Sequence, residues 1–171
     1  RNGRMTPGQH KALEKHWPYF GLEYQGETLN FNEAFGRVAP LWIEIGYGNG
    51  IQTAHLAARY PAINVLGIEI HLPGVGHLLQ LADERELGNL KLVRHDAVEV
   101  LAAAVKDNSV DQVMLFFPDP WPKKKHHKRR IVQEDFVELV ANKLRPGGRF
   151  HLATDWEPYA DWMLETVSAC T

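Results

Sequence analysis

The segment Phe116–Arg130 has the sequence FFPDPWPKKKHHKRR and places one carboxylate directly before a run of positive charge. Pro118 and Pro120 restrict the backbone on both sides of Asp119, so this carboxylate is held in one direction. Trp121 follows and can stack on a flat acceptor such as a purine. The pattern predicts an acid and an aromatic ring that handle one base; the alternative is a rigid surface turn whose Trp121 packs on the core.

Six basic side chains follow within eight positions: Lys123, Lys124, Lys125, Lys128, Arg129 and Arg130. They carry +6 in a chain whose formal charge is −2, which leaves −8 for all other residues. Lysines and arginines that contact RNA phosphates supply affinity without reading the base sequence. A basic run beside Asp119 therefore predicts an RNA-binding edge, although many such runs are only solvated loops.

A second pattern is EIGYGNG, in which Gly46, Gly48 and Gly50 follow a predicted strand and precede a predicted helix. Without side chains, backbone N–H groups and the helix N-terminus can come close to a ligand. A dinucleotide-binding fingerprint has its third glycine one residue later, and Glu44 would repel a pyrophosphate but suit a cationic ligand. The pattern is similar to the first motif of class I S-adenosylmethionine-dependent methyltransferases.

Two more acids end the next two predicted strands. Glu69 is placed to accept hydrogen bonds from both ribose hydroxyls of an adenosine, and Asp96 to receive the adenine amino group. Either could instead be an ordinary capping residue, and Asp96 suits a helix N-cap. Acids at three successive strand ends, in register with three glycines, favour a single site for S-adenosyl-L-methionine.

The elements that must position these residues alternate between strand and helix five times from residue 41 onward. A separate helix is predicted at residues 8–20, ended by Pro18. The strands are nearly continuous apolar runs, which is typical of a parallel sheet covered by helices on both faces. The predicted fold is α/β, with a doubly wound, mostly parallel, Rossmann-like sheet. Strands are predicted at 41–45, 64–70, 90–95, 110–117 and 149–154, and helices at 51–60, 74–86, 97–105, 131–144 and 158–169.

The totals set broader bounds. A length of 171 residues with 44% apolar content predicts one domain spanning 1–171, with 1–40 as an N-terminal extension. The first and last residues, Arg1 and Thr171, suggest a chain truncated at both ends. The single cysteine excludes an internal disulfide and favours the cytoplasm. No apolar run approaches a membrane span, and no histidine pair has the i, i+4 spacing of a metal site.

Five segments, taken in order, resemble the bacterial tRNA (guanine-N7-)-methyltransferase family: EIGYGNG, GIEIHLPGVG, RHDAVEVL, LFFPDPWPKKKHHKRRIV and HLATDWEPYADWMLE. The resemblance runs from about Thr6 onward, and its most selective motifs are F-P-D-P-W and A-T-D-W-x-x-Y. It implies methyl transfer from S-adenosyl-L-methionine to N7 of a guanine in the variable loop of tRNA. The family carries a further T-x-x-E-like substrate motif, and this chain ends before it.

The resemblance also implies residue roles. The residues that match the cofactor-binding positions are Glu44, Glu69, Asp96 and Asp119. Asp119 matches the active-site residue, Lys123 and Asp155 match substrate contacts, and the run after Lys123 matches the RNA-interaction region. In the motif around Asp155, Trp156 and Tyr159 are predicted to pack their helix rather than touch RNA.

Three other functions stay open at this point. DPW is similar to the D-P-P-W-type motif that grips an exocyclic amine, which would place the methyl group on N6 of adenine or N4 of cytosine. A nicotinamide-dependent oxidoreductase is disfavoured by the glycine spacing and Glu44. A non-catalytic RNA-binding protein would use the fold as a scaffold. The sequence does not decide between a monomer and a homodimer.

Overall fold

The structure, a computed structural model, describes residues 3–170, and its centre is a five-stranded, all-parallel sheet. The strand order is β3-β2-β1-β4-β5. This order confirms the predicted doubly wound α/β fold. It also reverses between β1 and β4, the point at which such sheets bind ligands beyond the carboxyl ends of their strands. The strands are β1 (Leu41–Ile45), β2 (Asn64–Ile68), β3 (Leu90–Val93), β4 (Val110–Phe116) and β5 (Leu144–Ala153).

Seven α-helices flank this sheet within the described residues: α1 (Pro7–Phe20), α2 (Phe31–Phe35), α3 (Ile51–Arg59), α4 (Leu72–Glu84), α5 (Ala97–Ala104), α6 (Glu134–Lys143) and α7 (Glu157–Ala169). Side chains alternate between the two faces of each strand. Leu66 and Ile68 of β2 pack with α5 and α7 residues, whereas Val65 packs with α3 and α4 residues. Both faces of the sheet are therefore buried.

The N-terminal segment packs along the outer strand β3. Thr6 and Gln9 form a capping box that starts α1. Gly21 forms a parallel bridge with Leu92, and Leu22 N donates to Leu92 O at 2.8 Å. Residues after α1 thus continue the sheet beyond β3.

The prediction that Pro18 ends α1 is wrong, because the helix continues to Phe20. The carbonyl that loses its hydrogen bond belongs to Glu14, which is exposed and can be hydrated. The helix ends instead at Gly21, where the chain becomes extended and a Cβ would lie 2.2 Å from the Trp17 ring. The lack of a Cβ at Gly21 thus leaves room for the Trp17 ring where the helix ends.

Strand β5 forms an edge of the described sheet. Its Pro-Gly-Gly segment interrupts the pairing: Leu144 pairs with Val110, and pairing resumes only at Arg149 with Gln112. His151 is exposed on this strand, with its ring edge-on to Phe116 at 4.8 Å. A strand with neighbours on only one side buries fewer of its side chains.

Candidate active site

The glycine loop joins β1 to α3 with three left-handed residues. Gly46, Gly48 and Gly50 have φ of 65°, 60° and 79°. A Cβ at Gly50 would lie 2.5 Å from Leu78 Cβ, whereas one at Gly48 would meet nothing within 4 Å. Gly50 is therefore required by packing and by backbone conformation, and the surface above Gly48 is open to a ligand.

A fourth glycine, which sequence reasoning missed, holds this loop from the other side. A Cβ at Gly74, in the first turn of α4, would lie only 2.0 Å from Gly48 O. Helix α4 thus contacts the loop backbone to backbone. The sequence did contain a signal for Gly74, because it lies near the start of a predicted helix. A glycine weakens a helix there, so its presence indicates a close packing contact.

The loop borders a cleft of about 560 Å³ at the carboxyl ends of β1, β2, β3 and β4. Three of the predicted acids line it: Glu69, Asp96 and Asp119. The rest of its wall includes Gly46, Gly48, Ile68, Ile70, His95, Leu115, Phe117, Trp121, Arg129 and Ile131. The structure therefore gathers acids from three strand ends around the glycine loop.

Glu69 and Asp96 are held by different local contacts. Burial raises the pKa of Glu69 to about 7. A hydrogen bond from the His71 N–H lowers this pKa, and the negative charge of Asp119 raises it further. Asp96 Oδ1 accepts a hydrogen bond from Glu99 N at 3.0 Å and caps α5. Asp96 is thus both a helix cap and part of the cleft wall.

Glu44 lies elsewhere, because it does not line the cleft. Its side chain is 3% exposed and points toward α3, where Thr53 Oγ1 donates to Glu44 Oε2 at 2.9 Å. Burial raises its pKa to about 7. Glu44 Oε1 and the Tyr47 hydroxyl are buried without a hydrogen-bond partner in the described part of the chain. The prediction that Glu44 binds the cofactor does not fit this position, because the carboxyl is enclosed and lies outside the cleft wall.

Asp119 is exposed at the top of β4, in a loop under backbone strain. Phe117 and Trp121, which flank the Pro-Asp-Pro segment, both have positive φ, 53° and 44°. Non-glycine residues adopt this conformation only where surrounding contacts enforce it, commonly at functional sites. Phe117 N donates to Ala153 O at 2.8 Å, and its ring is 64% exposed in the cleft wall. Sequence reasoning singled out Trp121 but missed Phe117.

Most of the basic run forms a short 3₁₀ helix, Lys124–Arg129, whose last residue, Arg129, lines the cleft. The Arg129 guanidinium lies over the Trp121 ring at 5.1 Å, and His126 meets the same ring edge-on at 5.8 Å. Lys123, Lys124, Lys125, Lys128 and Arg129 are all exposed. Asp155 is also exposed, just before α7, but is not part of the cleft wall.

Arg130 departs from the prediction that it contacts RNA. It is 3% exposed, and its Nε donates to Pro120 O at 2.7 Å. Its guanidinium lies 4.8–5.6 Å from the centres of three rings, those of Trp156, Tyr159 and Trp162. A side chain enclosed in this way is not available to a phosphate.

Residues 3–170 contain no group of three or more His, Cys, Asp or Glu side chains that could hold a metal ion. Within the same residues, no helix is long and apolar enough to cross a membrane.

The sheet order, the glycine loop after β1 and the acids after β2 and β3 define a class I S-adenosylmethionine-dependent methyltransferase. Solved structures agree on the fold. An antibiotic-related methyltransferase superposes with a TM-score of 0.54 at 18% identity, covering 82% of this chain and 77% of its own. Haemonchus contortus phosphoethanolamine N-methyltransferase 2, in complex with S-adenosylhomocysteine, superposes with a TM-score of 0.51 at 17% identity. This match covers 97% of this chain and 35% of the Haemonchus chain.

Sequence comparisons identify the family. The profile of the family described as "Putative methyltransferase" matches residues 38–171. A tRNA (guanine-N(7)-)-methyltransferase of Shewanella amazonensis is 54% identical over 99% of this chain and 71% of its own length. A second, from Alkalilimnicola ehrlichii, is 55% identical over 99% of this chain and 72% of its own length. The chain belongs to the tRNA (guanine-N(7)-)-methyltransferase family.

Proposed function

We propose that this chain transfers the methyl group of S-adenosyl-L-methionine to N7 of a guanine in the variable loop of tRNA, and that Asp119 orients this guanine. The observation that carries the proposal is that Asp119, Glu69 and two glycines of the loop, Gly46 and Gly48, line one cleft. Exposed basic residues lie at the same rim. Relatives that are 54–55% identical over nearly the whole chain have this activity as their name.

The residues around the cleft fit the methyl donor. Gly46 and Gly48 expose backbone at the start of α3, where a helix N-terminus offers N–H groups. Glu69 accepts hydrogen bonds from the ribose hydroxyls, and Asp96 binds the adenine end. Glu44 is not among these contacts, because its side chain is buried against α3 and does not line the cleft. When bound, S-adenosyl-L-methionine supplies an electrophilic methyl group on a sulfonium.

The chemistry at guanine N7 needs no general base, because N7 has an in-plane lone pair and no proton to lose. The protein must instead orient the base for in-line attack and tolerate positive charge on the purine ring. Asp119 does both: its carboxylate accepts hydrogen bonds from N1–H and the exocyclic amine, and its negative charge stabilises the methylated ring. Asp155, after the adjacent strand β5, contacts the substrate from the same rim.

The exposed basic residues bind the tRNA backbone. Lys123, Lys124, Lys125, Lys128 and Arg129 contact phosphates, which provides affinity and places the variable loop at the cleft. Arg129 also covers one face of Trp121, which links the phosphate-binding run to the aromatic ring beside Asp119. Because tRNA is the substrate, the proposal places the reaction in the cytoplasm.

The test incubates the protein with methyl-labelled S-adenosyl-L-methionine and unmodified bulk tRNA, followed by borohydride and aniline, which cleave RNA at N7-methylguanosine. We expect label in tRNA and cleavage at one guanine of the variable loop. Label without cleavage would indicate methylation of an exocyclic amine. Cofactor binding without any transfer of label to tRNA would contradict an enzymatic role for this chain on tRNA.

A further inference from the structure

Arg130 is a buried cation at the end of the basic run. Its side chain is 3% exposed, and within residues 3–170 it forms no ion pair. Burying an unpaired charge is unfavourable unless other contacts replace its hydration. The contacts that do so at Arg130 therefore indicate what this side chain is for.

Those contacts come from two places. Three aromatic rings of α7 and its N-cap, Trp156, Tyr159 and Trp162, lie within 5.6 Å of the guanidinium. Cation–π contacts favour a desolvated cation. The remaining contact is directional: Arg130 Nε donates to the carbonyl of Pro120 at 2.7 Å.

These three rings form an aromatic cage around Arg130, and the cage is hydrogen-bonded to the residues that follow Arg130 in the chain. Trp162 Nε1 donates to Val132 O at 2.6 Å, and Val132 N donates to the Tyr159 hydroxyl at 3.4 Å. Gln133 Nε2 donates to Arg130 O at 3.0 Å. The backbone on the C-terminal side of Arg130 is thus anchored to α7, and the side chain reaches back from this anchor to the Pro-Asp-Pro segment.

We propose that Arg130 is a positioning residue for the methyl transfer, which fixes the direction of Asp119 by holding the adjacent Pro120 carbonyl against the aromatic cage of α7. The inference rests on the proposed role of Asp119. Pro120 has a restricted backbone, so holding its carbonyl also holds the peptide unit that joins it to Asp119. The strained Trp121, immediately after Pro120, needs such an external restraint.

The alternative is that Arg130 contacts RNA like its neighbours, and a pair of matched variants separates the two roles. Arg130→Met and Arg129→Met remove the same charge at adjacent positions, one buried and one exposed. For Arg130→Met we expect kcat to fall at least about 30-fold, because small misplacements of catalytic groups have such effects. Its tRNA Kd and salt slope stay at the wild-type values. Arg129→Met flattens the salt slope by about one unit.

A third variant distinguishes loss of the hydrogen bond to Pro120 from loss of the fold. Arg130→Lys keeps the cation in the cage but has no N–H at the ε position, so its melting temperature stays close to that of the wild type while kcat falls. Hydrogen exchange measured without tRNA gives a second readout: the amides of Phe117, Asp119, Trp121 and Lys123, the four residues of 117–123 other than proline, exchange faster in both Arg130 variants, and those of β1 and β2 do not change.

Two results would overturn the proposal. One is a flattened salt slope and weaker tRNA binding with unchanged kcat, which would make Arg130 an RNA contact. The other is wild-type turnover and wild-type exchange in Arg130→Lys. Failure of the proposed function is a separate observation, because it is seen in the wild-type protein as absence of N7 methylation, whereas the exchange experiment requires neither tRNA nor turnover.

Discussion

The Thr53 hydroxyl donates its hydrogen bond to Glu44 Oε2, and the second oxygen of this buried carboxyl has no partner in residues 3–170. Burial raises the Glu44 pKa from 4.5 to about 7. In the unfolded chain the group ionises near its ordinary value. Its contribution to folding stability is therefore fully present below about pH 4.5 and is lost as pH rises through about 7.

Glu44→Gln should remove this pH dependence. The amide retains an acceptor for Thr53 but carries no charge, so at pH 8 the variant is more stable than the wild type, by at most about 3 kcal/mol. At pH 5 the difference is smaller. The measurement is the free energy of unfolding in urea at both pH values, with the exposed Glu138→Gln as control. The prediction would be contradicted if the free energies of unfolding of the wild type and of Glu44→Gln changed equally between the two pH values.

Glu69 should make the affinity for the cofactor rise with pH, whereas the contribution of Glu44 to folding stability falls with pH. With its pKa at about 7, the free protein must lose a proton from Glu69 before the carboxylate can accept two ribose hydroxyls. Affinity for S-adenosyl-L-methionine should therefore rise by about tenfold from pH 6 to pH 8 beyond any rise seen in Glu69→Gln. Calorimetric titration of both proteins at the two pH values measures this. Identical pH profiles would mean that Glu69 does not bind the ribose as an ionised group.

Asp119→Asn tests the role assigned to the exposed carboxylate. The amide keeps the size of the side chain but loses the charge that stabilises the methylated ring, so kcat should fall about 100-fold or more. The Kd for tRNA should stay within about threefold, because the lysines supply most of the affinity. Label transfer at saturating cofactor and tRNA measures kcat, and Asp161→Asn on the exposed side of α7 is the control. Near-normal turnover with unchanged affinity would refute the role.

Replacing Lys123, Lys124 and Lys125 together by Ala should weaken tRNA binding and flatten its salt dependence by up to about 2 to 3 units. The matched comparison is Lys106→Ala, which removes a charge before β4, at the opposite end of the strands. Affinity measured from 50 to 300 mM salt distinguishes the two. An unaltered slope in the triple variant would show that these lysines form a solvated surface.

Gly74→Ala tests the contact between α4 and the glycine loop. The added methyl would lie 2.0 Å from Gly48 O, a backbone atom, so the loop must move. Affinity for S-adenosyl-L-methionine should fall at least about tenfold if backbone groups of this loop bind the ligand as proposed. Gly88→Ala is the control, because a Cβ there meets nothing within 4 Å. Equal affinities in the two variants would exclude the coupling.

The parallel sheet and the gathering of Glu69, Asp96 and Asp119 followed from sequence, because parallel strands bring their carboxyl ends to one edge of the sheet. The direction of a side chain was harder to predict. Glu44 belongs to the right strand, but it alternates with Ile43 and Ile45 and therefore faces the opposite side of the sheet, toward α3.

Arg130 illustrates a second reason for error. A run of charges does not show which member turns inward, since that depends on the partners that fold against it. The partners were visible, however: Trp156, Tyr159 and Trp162 recur at i, i+3 and i+6, on one side of a helix. The positive φ of Phe117 and Trp121 had no comparable signal, because tertiary contacts impose it on residues that disfavour it.

The contacts of α4 also have a mechanical consequence. Gly74 meets the cofactor loop, and two residues later a Cβ at Gly76 would lie 3.1 Å from Gln9 O in α1. Two glycines on α4 thus allow close approach on two sides, to the glycine loop at Gly74 and to α1 at Gly76. The position of α1 is therefore coupled through the backbone of α4 to the loop proposed to bind the methyl donor.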